Sequence, residues 1–180
     1  NAYNNMGWAY MSLEQYERAI QHFDEAIRLV PQFAMAYLYR GASYADLGQH
    51  ERAIEDHDEA INIDSKDSIN YLNRGNAYTA RGQDQRAIED FDQAIKLDPK
   101  EALTYTGRGV AYANLGQLER AIQDHNEALK LNSELAIAYN NRGYAYKYLG
   151  QSEQAIDDFN EAIRLDPKYV WAYNNRGLAY

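Results

Sequence analysis

The chain of 180 residues has no cysteine, which excludes a disulfide framework and any thiolate metal site. With only three prolines and an abundance of Ala, Ile, Leu, Gln and Glu, helix is favoured over sheet. Basic charge is scarce. Eighteen Lys and Arg stand against 27 Asp and Glu, a net charge of −9 that excludes a general nucleic-acid binder, because phosphate contacts need a cationic surplus. No apolar run approaches the roughly 18 residues of a membrane span, and no signal-peptide pattern opens the sequence. A soluble chain with no membrane partner is expected, with the cytoplasm the favoured compartment. The sequence begins in mid-pattern and without an initiator Met, so a processed piece or an excised domain of something longer is expected.

What is present in excess is tyrosine, and it is periodic. Tyr3, Tyr37, Tyr71, Tyr105, Tyr139 and Tyr173 follow one another at a constant spacing of 34 residues, each opening a phrase such as YLNRGNAY (71–78) or YNNRGLAY (173–180). A fixed period of that length means stacked supersecondary units. Within a unit, Tyr37, Gly41 and Tyr44, and then Ala53, His57, Ala60 and Ile61, recur at three- and four-residue steps, which is helical periodicity twice over. Between the halves stand Gly48, Gly82, Gly116 and Gly150, where a helix end needs a left-handed residue; Pro31, Pro99 and Pro167 mark the other boundary. Each unit is therefore expected to be a helical hairpin, with Gly41 and Ala53 letting its helices approach and Tyr37, Tyr44 and Ile61 filling the space around them. Twelve of the seventeen tyrosines fall in the two packing positions, so an aromatic nucleic-acid surface is not expected.

The spacing Tyr-x2-Arg-Gly-x2-Tyr, Ala-x3-Phe/His, Ala, Pro/Ser resembles the tetratricopeptide repeat. That resemblance implies an all-α, right-handed α-solenoid of stacked 34-residue helical hairpins, five full repeats plus one leading helix, about eleven helices in all. A single array is expected over 1–180. Repeat 1 spans 1–33 and lacks its first residue; the next four span 34–67, 68–101, 102–135 and 136–169, and 170–180 is the first helix of a sixth. The first helices then line a concave groove and the second helices its convex back. The first-helix segments carry a net +6 and the remainder −15, a mildly basic inner wall within an acidic shell.

Most of that basic charge is expected to be paired. Arg40, Arg74, Arg108 and Arg142 stand beside the packing glycines, and sixteen residues after each comes Asp56, Asp90, Asp124 or Asp158. In repeat 1 the Arg is replaced by Met6 and the Asp by His22. Because the two changes occur together, structural Arg–Asp pairs between the helices of a hairpin are expected. Arg176 has no such Asp in the sequence.

A second difference has double the period. Phe23, Phe91 and Phe159 accompany Pro31, Pro99 and Pro167, whereas His57 and His125 accompany Ser65 and Ser133. These histidines lie two hairpins apart, so no shared metal is expected; they are read as hydrogen-bonded histidines packed against tyrosine, and His22 and His50 as surface residues.

No nucleophile, base and orienting acid stand together in a unit, and there is no Gly-rich phosphate loop, so no catalytic residue, metal or cofactor is expected. The leading expectation is a protein-interaction scaffold that binds an extended peptide or partner segment in the groove. Its amide and aromatic contacts are assigned to Asn4, Asn5, Trp8, Tyr39, Asn73, Asn76, Asn140, Asn141, Tyr144, Tyr148 and Asn174. The lysines with which some family members clamp a chaperone tail are absent, and Tyr39 and Gly107 interrupt the asparagine ladder of others. Two alternatives are carried. One is a homo-oligomer assembled through an uncovered terminal face of Tyr173, Arg176, Gly177 and Tyr180; the other is the regulatory array of a larger enzyme.

Overall fold

The structure is a computed structural model that describes residues 2–179. These form eleven helices and no strand. They are α1 (Ala2–Ser12), α2 (Tyr16–Leu29), α3 (Ala34–Asp46), α4 (His50–Ile63), α5 (Ser68–Ala80), α6 (Asp84–Leu97), α7 (Ala102–Asn114), α8 (Leu118–Leu131), α9 (Ala136–Tyr148), α10 (Ser152–Leu165) and α11 (Val170–Gly177). They fall into two compact units, one ending at Leu97 with α1–α6, the other beginning at Asp98 with α7–α11.

The hairpin turns follow from local backbone chemistry. Gly48 lies at a φ of 73°, its N–H donating to Ala45 O at 2.9 Å while the Gln49 N–H donates to Tyr44 O at 2.8 Å. This double bond closes a helix end and requires a left-handed residue, which glycine supplies without steric cost. Gly82, Gly116 and Gly150 repeat it. In repeat 1 the same bonds form, but the left-handed residue is Glu14, with a φ of 57°. The return turns are fastened differently: Asp64, Asp98, Asn132 and Asp166 each accept from the backbone N–H two residues on.

In the first unit α1 packs on α2, α3 on α4 and α5 on α6, and α2 and α4 pack on the hairpin that follows. In the second unit α7 and α8, then α9 and α10, form hairpins, and α11 packs on α10. The first helices touch one another (α1 with α3, α3 with α5, α7 with α9, α9 with α11), whereas α2 and α4, α4 and α6, and α8 and α10 do not. Crowding on one side and splaying on the other makes the first helices the inner row of each unit.

The core is small and regular. Each second helix buries two alanines seven residues apart, Ala53 and Ala60 for example, with one ring between them: Phe23, His57, Phe91, His125 or Phe159. That ring fills the space in front of the facing glycine. An ideal Cβ on Gly41 would lie 2.8 Å from the His57 ring, and one on Gly75 2.8 Å from the Phe91 ring. The expectation that tyrosines and Ile61 fill this space is therefore corrected. Tyr37 and Tyr44 are half-buried beside it, and each carries a guanidinium: Arg40 over Tyr37 at 5.5 Å and Arg52 over Tyr44 at 4.8 Å. Full burial of one such Phe ring contributes about 1.5–3 kcal/mol.

Candidate interaction surface

The arginine beside each packing glycine is held from two sides. Arg40 donates through Nε and Nη2 to the two carboxylate oxygens of Asp56 at 2.8 and 2.6 Å, within its own hairpin. Its remaining nitrogen, Nη1, donates at 2.5 Å to Asp24 on α2, the helix of the preceding hairpin. Arg74 forks in the same way onto Asp90 at 2.8 and 2.6 Å and bonds Asp58. Arg142 forks onto Asp158 and donates to Asn126 at 2.6 Å, and Arg108 forks onto Asp124 at 2.8 and 2.7 Å. The planar guanidinium matches a carboxylate at two points and still has a donor left, which lysine could not provide.

The link to the preceding hairpin was missed in the sequence. Its signal was there, since Asp24, Asp58, Asn126 and Asn160 also recur in register sixteen residues before the arginine. Burial opposes the charge of Arg40, but Asp56 and Asp24 more than offset it and hold the guanidinium above its ordinary range. Burial pushes the Asp56, Asp90 and Asp158 carboxyls up, against the pull of their arginines. The side chain of Arg40 is 19% exposed and that of Asp56 6%. These cations belong to the joints, so the basic inner wall implied by the net charge is neutralised in place. Arg81 is likewise paired, with Glu51 at 2.7 Å.

What remains on the inner row is amide and aromatic. In the first unit a cavity of about 280 Å³ is bounded by Asp46, His50, His57, Asn73, Asn76 and small residues of α3 and α5. Asn5 and Trp8 are exposed on α1, and Tyr39 is half-buried, its ring 5.9 Å from Phe23. In the second unit a cavity of about 170 Å³ is bounded by Val110, Ala113, Asn114, His125, Asn141 and Tyr144. Tyr144 and Tyr148 stand ring to ring at 4.6 Å, both exposed, and their mutual hydrogen bond raises the Tyr144 pKa.

Two predicted groove residues are corrected. Asn140 is 5% exposed, donates to Asn141 at 3.1 Å and accepts from Asn175 at 2.9 Å, so its amide joins α9 to α11 and is not offered to a ligand. Asn4 is 6% exposed, with a buried Oδ1 that meets no partner among the described residues. Asn174 is exposed on α11. The position of Asn4 and Asn140 also holds Leu38 and Thr106, both buried, and this mixture was the signal that it faces inward.

The histidines differ from expectation too. His57 and His125 are fully buried, neither ring nitrogen has a partner among the described residues, and each ring abuts a glycine rather than a tyrosine. Burial, with a smaller contribution from Arg74 or Arg142, lowers their pKa values to about 4 and about 3, so both are neutral near pH 7. His22 is half-buried and stacks on Tyr10 at 5.1 Å, and His50 is half-buried at the first cavity, so neither is the surface residue expected.

Family models described as TPR repeat match residues 75–116 and 143–180, and models described as tetratricopeptide repeat match 1–33, 34–67 and 102–135. The chain belongs to the tetratricopeptide-repeat family. Membership makes it an all-α array of helical hairpins, and supports a protein-interaction scaffold rather than an enzyme as the class of function. Solved structures of similar fold include MamA, at 24% identity with a TM-score of 0.77, covering 91% of this chain and 96% of that one. Another is YrrB, described as a TPR protein with an unusual peptide-binding site, at 22% identity and a TM-score of 0.73 over 97% of this chain and 90% of its own. A thermophilic TPR protein of Thermus thermophilus, TTC0263, matches at 21% identity and a TM-score of 0.83, over 99% and 97%. At these identities the likeness concerns the α-solenoid fold alone. No curated protein matches the sequence significantly. Among the described residues of this TPR chain, no helix is long and apolar enough to cross a membrane, and no three His, Asp or Glu side chains stand as a metal site.

Proposed function

We propose that this TPR chain is a protein-interaction scaffold that holds an extended, weakly charged segment of a protein partner along the inner row of first helices within a unit. Each unit is read by itself: in the first, Asn73 and Asn76 pair with the backbone of such a segment and Trp8 takes an apolar side chain; in the second, Asn141 pairs with the backbone and Tyr144 and Tyr148 take apolar side chains. The observation that carries this reading is that Arg40, Arg74, Arg108 and Arg142 of the inner row are internally engaged, which leaves mainly amides and aromatic rings as the accessible groups beside them. An unpaired basic groove would select acidic peptides, whereas an amide and aromatic groove selects by backbone pairing and apolar fit. YrrB, with its peptide-binding site, supports peptide recognition by this fold.

The test is binding to a diverse peptide array at about 50 mM and about 500 mM salt, conditions that change the screening length several-fold. The expected hits are weakly charged peptides retained at high salt, with affinity lost in an Asn141→Ala/Tyr144→Ala variant of unchanged helicity. Acidic peptides that dissociate at high salt, or hits indifferent to that double substitution, would overturn the reading.

A second reading is favoured by a separate observation. Tyr173 and Gly177 on α11 are exposed, whereas the equivalent glycines Gly41, Gly75, Gly109 and Gly143 are buried. This face, which with Arg176 makes an assembly surface, is open to a second chain; Tyr180, assigned to the same face, lies outside the described residues. Removal of residues 170–180 is expected to lower the solution mass to that of a monomer, and an unchanged mass argues against self-assembly.

A further inference from the structure

The two cavities of the inner row are built alike and charged differently. Every residue around the second-unit cavity has its counterpart two repeats earlier at the first: Asn141 answers to Asn73, His125 to His57, Tyr144 to Asn76 and Asn114 to Asp46. The last exchange sets them apart. Asp46 is the only acid on the described first helices, and it stands in the last turn of α3, at the negative end of the helix dipole. Glu14 lies close enough to act on it: burial first, and the Glu14 charge second, push the Asp46 carboxyl up. Neither acid pairs with a cation among the described residues. For the fold alone this is an unfavourable place for an acid, since the dipole and the neighbouring carboxylate both oppose its charge.

The interior of the first-unit cavity, about 280 Å³, suits a cationic side chain. Ala42, Ala45, Ala77 and Ala80 form an apolar wall along which an aliphatic stem can lie. The His57 ring that lines the cavity is fully buried, and neither of its nitrogens has a partner among the described residues. Near pH 7 this imidazole is neutral and places no competing charge there. Arg74, the cation that acts on His57, is itself held by Asp90 and Asp58. Among the described residues no three His, Asp or Glu side chains stand as a metal site, so Asp46, His57 and the neighbouring His50 are not a set of metal ligands. We propose that this cavity takes a lysine or arginine side chain of the bound segment, its stem along the alanines, its charge on the Asp46 carboxylate and one N–H donor on the His57 imidazole. A carboxylate without a cation, beside an orphaned neutral imidazole, selects a charged donor. That residue belongs to the segment of the groove reading, on which this assignment rests, and a single cation leaves the segment weakly charged.

The probes are short peptide libraries, random and neutral except for one fixed central residue, Arg, Lys, Gln or Glu, titrated into the 180-residue chain with its backbone amides followed by NMR. The Arg and Lys libraries are expected to shift the amides of α3 and α5 around the cavity at concentrations about tenfold below those the Gln library needs, with the Glu library weakest. Comparison of Arg with Lys shows which cation fits better. Asp46→Asn, which copies the Asn114 of the second cavity, should abolish the preference for a cation and leave binding of the Gln library. His57→Phe installs the ring that Phe23 and Phe91 supply at this place in other hairpins, so the fold is kept, and Arg-library binding should fall about fivefold or more. Asn141→Ala/Tyr144→Ala alters the second unit and should leave the preference intact. Equal binding of the Arg, Lys and Gln libraries, a preference that survives Asp46→Asn, indifference to His57→Phe, or the same preference at the amides around Asn141 would overturn the proposal while the groove reading stands. Absence of binding by every library would overturn both.

Discussion

The hairpins built on phenylalanine and those built on histidine share one geometry and differ in chemistry. Phe91 and His57 occupy the same place on their helices, are equally buried and stand equally close to a glycine, at 2.8 Å from an ideal Cβ in both cases. Phe91 leaves no polar atom behind, whereas His57 and His125 bury two ring nitrogens apiece without partners among the described residues. Glycine and helix spacing therefore decide that a ring enters; they do not decide whether the ring titrates. A buried unpaired polar group is costly, and the imidazole answers by giving up its proton affinity.

The strongest way to sharpen this comparison is acidification. The folded pKa values of about 4 and about 3 lie below the ordinary 6.5, so the unfolded chain binds more protons in between. Stability from the neutral histidines is complete above pH 6.5 and is lost as pH falls towards the folded values. Between pH 7 and pH 5 each histidine should remove about 2 kcal/mol, and a His57→Phe/His125→Phe variant should lose correspondingly less in urea titrations at the two pH values. Identical acid losses in the two proteins would show that the imidazoles find proton-accepting partners.

Next in size is the arginine joint, which should break the two hairpin types equally. Asp90→Ala and Asp56→Ala each leave a partly buried guanidinium with one remaining carboxylate, Asp58 or Asp24, and should each cost about 3 kcal/mol in chemical denaturation. A cost confined to one hairpin type would tie the joint to its ring. Smaller is the effect of a single methyl group. Gly75→Ala and Gly41→Ala push a Cβ into the facing ring and should cost about 1–3 kcal/mol, whereas Gly177→Ala meets open space and should gain about 0.5–1 kcal/mol of helix stability. Comparable losses at all three sites would mean that a ring covers Gly177 in solution. Similar in size to the Gly177→Ala gain is the effect of Glu14→Gly, which relieves the one non-glycine left-handed residue described and should raise stability by about 1 kcal/mol, measured as Tm.

Much of this architecture was legible in the sequence because it is local and repeated. Gly48, Gly82, Gly116 and Gly150 announced the hairpin turns, and the three- and four-residue steps of Ala, ring and Ala announced the buried face of the second helix. The forks from Arg40 and Arg74 to Asp56 and Asp90 were foreshadowed because both partners vary together in repeat 1. Less legible were contacts between hairpins: Arg40 with Asp24, and Asn140 with Asn175. Asn140 and Asn141 are neighbours of identical type, yet one amide is buried in a joint and the other borders a cavity.

By itself the sequence determined the period, the helix ends, the glycine positions and the residue types available to each face, all of which depend on backbone conformation within one hairpin. Only tertiary structure decided which arginines and asparagines are engaged, which histidine nitrogens are orphaned and which glycine is left uncovered. Those outcomes depend on how closely the next hairpin approaches, and a side chain has the same identity in the sequence whether that approach supplies its partner, excludes its solvent or leaves it open.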